Sequence, residues 1–196
     1  NTLNATQNIE FSGELNAANQ SQQGDRNAGT LSQEGISNVA SQIQIGNSNT
    51  GTISQQGITN SSEQQQQGDT NTDSLAQVGN NNAAIQQQIG STNTESAELW
   101  GNNNSSSQTQ LGGGNSATSL QGSELFNSTG GSVTQLQEGN ENTAFANHEE
   151  NDNVINQRQS GEGNIARATQ NLLAFGCNNV AIQQQMGNVN IVEVSQ

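Results

Sequence analysis

Few side chains in this sequence are of the kinds that make or break covalent bonds. It holds one histidine, His148, and one cysteine, Cys177. A histidine base needs a nucleophile within hydrogen-bond reach and a third group to orient it. His148 lies in the run NHEEND with no serine or cysteine constellation around it. No catalytic residue is assigned, and the chain is expected not to be an enzyme. The acidic residues behind it, Glu149, Glu150 and Asp152, are of a type that can hold Ca2+ weakly through carboxylate oxygens. A solvated acidic turn accounts for them more simply, and no metal or cofactor is expected. Cys177 allows no internal disulfide and stands either as a free thiol or as an intermolecular crosslink. The side chains that recur are primary amides. Gln and Asn donate and accept at once, and an amide stacked on an identical amide one rung away satisfies both, as in the Gln/Asn ladders of cross-β assemblies.

The composition narrows the partners. The formal charge is −14, and the only basic side chains besides His148 are Arg26, Arg158 and Arg167, which are scattered. Nucleic acid binding needs clustered Lys and Arg, so none is expected. No apolar run is long enough to span a membrane. No signal peptide is visible at Asn1, and the chain begins without Met, as a processed or trimmed form does. Only 28% of residues are hydrophobic and 3% aromatic, which by itself resembles disorder. Proline, however, is absent, as suits continuous β-ladders to which it cannot donate.

The elements that must position the amides follow from the spacing. Gly-x-x-Asn recurs every 11 residues, at Gly24, Gly35, Gly46, Gly57, Gly68, Gly79, Gly90, Gly101 and Gly112, each followed by Asn three positions on. The segments between these turns alternate in type, so the full period is 22. The A segments carry an inward Asn at Asn16, Asn38, Asn60, Asn82, Asn104, Asn153 and Asn179. Each A segment then carries two glutamines two residues apart. These are Gln20 and Gln22, Gln42 and Gln44, Gln64 and Gln66, Gln86 and Gln88, Gln108 and Gln110, Gln135 and Gln137, Gln157 and Gln159, and Gln183 and Gln185. The B segments read Gly29-Leu31-Gln33, Gly51-Ile53-Gln55, Asp73-Leu75-Gln77 and Glu95-Ala97-Leu99, and continue to Val192-Val194-Gln196. Fixed residues two apart lie on one face of a strand. Gly supplies positive φ, and Asn tolerates the left-handed region and caps its own backbone, which makes Gly-x-x-Asn the turn. The fold class is therefore all-β, a β-solenoid with two strands and two turns per 22-residue coil and about eight coils stacked in parallel register. It forms one domain over 1–196, with longer turns at 122–131 and 171–179. At ~4.8 Å per coil the rod is about 40 Å long.

Side-chain volumes support this arrangement. Folding each coil flat sets Gln20 against Gly29 and Ala18 against Leu31, then Gln42 against Gly51 and Ala40 against Ile53. Later the large partner changes strand, with Val133 facing Ala146 and Ile155 facing Ala168. A thin close-packed interior requires such complementarity. Asp73 and Glu95 fall on the inner face in successive coils, where like charges repel. Either one is protonated or the column lies near a wet edge. The pair reads as a tolerated defect or as a brake on assembly. Both longer turns join a B segment to an A segment, and their apolar residues (Leu125, Phe126, Leu172, Leu173, Phe175) are expected to pack on that edge or against a neighbour.

The repeat resembles that of the curlin family, Ser-x5-Gln-x-Gly-x-x-Asn-x-Ala-x3-Gln. Gln33-Gly35-Asn38-Ala40-Gln44 and Gln77-Gly79-Asn82-Ala84-Gln88 fit it, as does Gln170 to Gln185 with a longer turn. Asn27 and Asn71 stand in place of the leading Ser, Leu99 and His148 in place of Gln, and Glu150 in place of Gly. The resemblance implies a secreted subunit of curli, the functional amyloid fibres of bacterial biofilm matrices. It is closest to the major fibre subunit, with a nucleator-type minor subunit as an alternative. It implies an extracellular location, with a nucleator subunit and secretion machinery as partners. Self-association through the terminal coils is expected independently, because the first strand (Gln7, Ile9, Phe11) and the last (Val192, Val194, Gln196) share a pattern and like ends can stack without closure. A rival reading is an ice-binding solenoid using the outward array Thr50, Thr52, Ser54, Thr72 and Ser74, although that array decays to Phe145 and Arg167.

Overall fold

Alternation of small or amide side chains with solvent-facing ones leaves each segment one course, an extended strand with an inner and an outer face. The computed structural model describes residues 15–170 and 178–196 with side chains and residues 2–8 by their backbone, and all of its regular elements are strands. The A segments form an eight-stranded parallel sheet. Its strands are β2 (Ala17–Gln23), β4 (Val39–Ile45), β6 (Ser61–Gln67), β8 (Ala83–Ser91), β10 (Ser105–Gly113), β13 (Ser132–Asn140), β15 (Val154–Glu162) and β17 (Val180–Met186). The B segments form the facing sheet, in the order β1 (Thr2–Asn8), β3 (Ala28–Ile36), β5 (Thr50–Ile58), β7 (Thr72–Asn80), β9 (Thr94–Asn102), β11 (Ser116–Gln121), β14 (Thr143–His148), β16 (Ile165–Gln170) and β18 (Ile191–Ser195). The short strand β12 (Ser128–Thr129) pairs with β9 where the long turn rejoins the stack. The result is a β-solenoid of about eight coils.

Register is strict because a slip by one residue would turn every amide outward. Gln86 lies opposite Gln64 on one side and Gln108 on the other, each 22 residues away. Complementarity across the interior follows the expected pairing. Leu31, Ile53 and Leu75 pack with Ala40 and Ala84 in one apolar cluster, and Val133 and Ile155 with Ala146 and Ala168 in a second. A Cβ added to Gly29 would lie 2.4 Å from Gln42 Oε1, so the glycine leaves that space to the amide.

The structure departs from the sequence reading at three places. The first strand is Thr2–Asn8, with Gln7 opposite Gln33, so its column is Leu3, Ala5 and Gln7, which matches Gly29-Leu31-Gln33 in ending on an amide. Ile9 and Phe11, assigned to that strand from sequence, lie outside the described residues. In the turns, the left-handed residue is not the Asn but the one before it, for example Ser37 at φ 57°, Thr59 at 56° and Thr70 at 58°. The Asn must turn its side chain inward to bond the adjacent coil, which leaves the reversal of direction to its predecessor. Finally, Leu125 and Phe126 do not pack on their own edge. They are 84% and 58% exposed at the tip of a tight turn in which the Ser123 N–H donates to the Phe126 carbonyl. Leu172, Leu173, Phe175 and Cys177 lie outside the described residues.

Candidate functional site

Stacking at one rung per coil brings identical amides together, and they form continuous hydrogen-bonded columns. In the inner A column Gln20 donates to Gln42, and the chain of bonds continues through Gln64, Gln86, Gln108, Gln135 and Gln157 to Gln183, at 2.6–3.0 Å. The second column runs equally unbroken from Gln22 through Gln44, Gln66, Gln88, Gln110, Gln137 and Gln159 to Gln185. Along most of the column the second amide proton has its own use. Gln64 Nε2 also donates to the Thr52 carbonyl, Gln86 to Ser74 and Gln108 to Ser96, which ties the two sheets together across the interior. A buried Gln in these two A-sheet columns is therefore satisfied as both donor and acceptor, which avoids the penalty of unpaired groups.

The Asn column works differently. Asn38 takes a bond from its own backbone N–H to Asn16 Oδ1, and the pattern repeats at Asn60, Asn82 and Asn104. The Asn82 side chain donates to the Gly101 carbonyl in the turn of the next coil. At Asn153 the column is interrupted on one side, since Gly131 occupies the rung below, and it resumes with Asn179 N–H on Asn153 Oδ1. The B segments carry a parallel Asn column (Asn27, Asn49, Asn71, Asn93) in which each backbone N–H reaches the preceding Oδ1, joined at Asn49 and Asn93 by the side-chain N–H. It belongs to the site, and the same Gly-x-x-Asn signal marks it. A further set was missed from sequence. Exposed Asn and Asp just after the turn glycine stack as well, with the Asp25 N–H on Asn47 Oδ1 and the Asn47 N–H on Asp69 Oδ1. The signal for it was the recurring Gly-Asn and Gly-Asp dipeptide.

The B glutamine column is the one that breaks. Gln33 donates to Gln55 and Gln55 to Gln77, but the next rung is Leu99. Above it Gln121 Oε1 is buried without a partner, as is Gln170 Oε1 above His148. Gln121→Leu is accordingly expected to cost only about 1 kcal/mol in denaturant unfolding, because neither neighbour in its column offers an amide. Leu99 itself joins the apolar cluster with Ala84 and Ala97.

His148 is fully buried, with Nδ1 3.4 Å from Ser128 Oγ and Nε2 unpartnered. A Cβ on Gly131 would come within 2.0 Å of its Cε1, so the loss of an Asn at Gly131 makes room for the imidazole. Burial lowers its pKa from 6.5 to about 4, partly offset by the Glu150 backbone. The unfolded chain therefore binds a proton that the folded one refuses. Stability from this group is complete above pH 6.5 and is lost as the pH falls toward about 4. His148→Gln should remove this acid-side loss, worth up to about 3 kcal/mol, as read from unfolding midpoints of both proteins across that window.

Asp73 and Glu95 are 1% and 0% exposed and stand opposite each other on adjacent rungs, which rules out a wet edge. Burial pushes the Asp73 carboxyl well above the ordinary carboxylate range, offset in part by the Gln66 amide. Glu95 is pushed up by burial first and then by Asp73, with the Gln87 backbone pulling the other way.

A rod of parallel in-register coils whose interior is knitted by amide ladders is a cross-β solenoid. Residues 24–57 match the curlin associated repeat, over one and a half coils whose columns then recur through both sheets. Over those residues the chain thus carries a curlin associated repeat. No curated protein matches the chain.

Proposed function

We propose that this chain is the structural subunit of a secreted, curli-type functional amyloid fibre that polymerises end to end by β-ladder stacking and serves extracellular adhesion in a biofilm matrix. The observation that carries this reading is the unbroken run of both A-sheet glutamine columns through eight strands. In the A sheet every coil offers the next the same pair of glutamine amides, displaced by one rung. A coil of a second copy can therefore extend the ladder as a coil of the same chain does, and such a head-to-tail contact does not close on itself. Curlin repeats belong to a family of structural fibre proteins, which supports the same reading.

Seeding tests it. Purified chain added to sheared fibres should elongate them without a lag, and aligned fibres should diffract at ~4.8 Å along the axis. A sample that stays monomeric at high concentration in the presence of seeds overturns the proposal.

A further inference from the structure

Among the described residues, the interior holds a pair of carboxyl side chains that the ladders do not use. Asp73 on β7 and Glu95 on β9 face inward on adjacent rungs, about 4.8 Å apart along the stack. All four carboxyl oxygens are buried, and none has a hydrogen-bond partner of good geometry. No cation offsets them. Arg26 lies in an exposed turn, Arg158 pairs with Glu138 on the outer face at 3.3 Å, and Arg167 lies over the Phe145 ring. The strands packed around the pair add no compensating charge. β5, β8, β10 and β11 contain no ionisable side chain, and Glu63 on β6 and Glu98 on β9 alternate outward. Two adjacent carboxylates in a dry site with no cation and no well-formed hydrogen bond are not a stable arrangement, whereas two neutral acids are.

We propose that the Asp73–Glu95 pair makes folding of this chain proton-driven: the central coils close with both side chains as neutral acids, so acidification draws the solenoid together and alkalinity opens it. The sign follows from burial. The folded state holds protons that the unfolded chain releases above the ordinary carboxylate range, so folding takes up as many as two protons and weakens as the pH rises. His148 acts in the opposite sense, but only below pH 6.5, so the pair is read cleanly above that value. In the fibre reading each added subunit takes up the same protons. That extension rests on the proposed function, whereas the folding measurement does not.

The test uses the full chain. Unfolding by urea is followed by circular dichroism at a series of pH values from neutral upward, for the wild type and for the double variant Asp73→Asn, Glu95→Gln. The wild-type folding constant should fall by up to about tenfold per pH unit for each carboxyl still protonated, and the variant should be nearly flat. Isotope-edited infrared spectra of wild type labelled at Asp and Glu should show a protonated carboxyl band in the folded state at neutral pH. The infrared reading decides the matter even where the variant fails to fold. Equal pH slopes in the two proteins, a spectrum containing only ionised carboxylates, or a dependence on added Ca2+ in place of pH would each overturn the proposal.

Discussion

Gly90→Ala is expected to destabilise the rod by roughly 3 kcal/mol or more. Two causes act together. Gly90 sits at φ 127°, well away from the region that L side chains adopt. Its added Cβ would also lie 1.8 Å from the Gly112 carbonyl oxygen and 2.7 Å from the carbonyl carbon. Both atoms are backbone of the next coil, so no rotamer can move aside, and relief requires spreading the rungs and stretching the ladder bonds on either side. Gly114→Ala separates the two causes. Gly114 has φ 67°, and the nearest atom to an added Cβ is Glu141 Cγ at 3.6 Å. It should lose only the left-handed backbone penalty, about 1 kcal/mol. Denaturant midpoints of the two variants measure the difference. Similar losses would show that backbone conformation, and not the closeness of coils, sets the requirement for glycine.

Gln86→Leu should cost about 3 kcal/mol, whereas Gln87→Leu, one residue away, should stay within about 0.5 kcal/mol. Gln86 Oε1 accepts from Gln64 at 2.8 Å, and its Nε2 donates to Gln108 at 3.0 Å and to the Ser74 carbonyl at 3.1 Å. Leucine would leave Gln108 Oε1 buried without a donor and Gln64 Nε2 with only its Thr52 bond. Gln87 also bonds along the stack, to Gln65 Oε1 at 3.2 Å, but on the outer face. Water replaces that bond when it is lost, and leucine adds to a face that already exposes Ile85 and Ile89. Unfolding midpoints, or the concentration of free chain left at the end of assembly, should rank the two variants in this order. Equal effects would contradict the division into inner and outer amides.

Much of this molecule was legible in its sequence, because in a parallel in-register stack the neighbour of a residue in space is the residue one period away in the chain. The 22-residue repeat, the inward face of each strand, the two unbroken glutamine columns and the exchange of large and small partners across the interior all follow from that rule. Where the repeat is broken, the rule is silent and only the three-dimensional packing decides. It moved the left-handed turn residue from Asn to its predecessor, since the Asn side chain is drawn inward to the Gly carbonyl of the next coil. It placed the first strand at Thr2–Asn8, because Gln7 and not a later residue meets Gln33. It left Leu125 and Phe126 on the surface, since the long turn rejoins the stack through Ser128 and Thr129 and lifts its tip clear of the edge. And it enclosed Asp73 and Glu95 completely, because the strands on every side of them are held in register by ladders that a single unfavourable column does not undo.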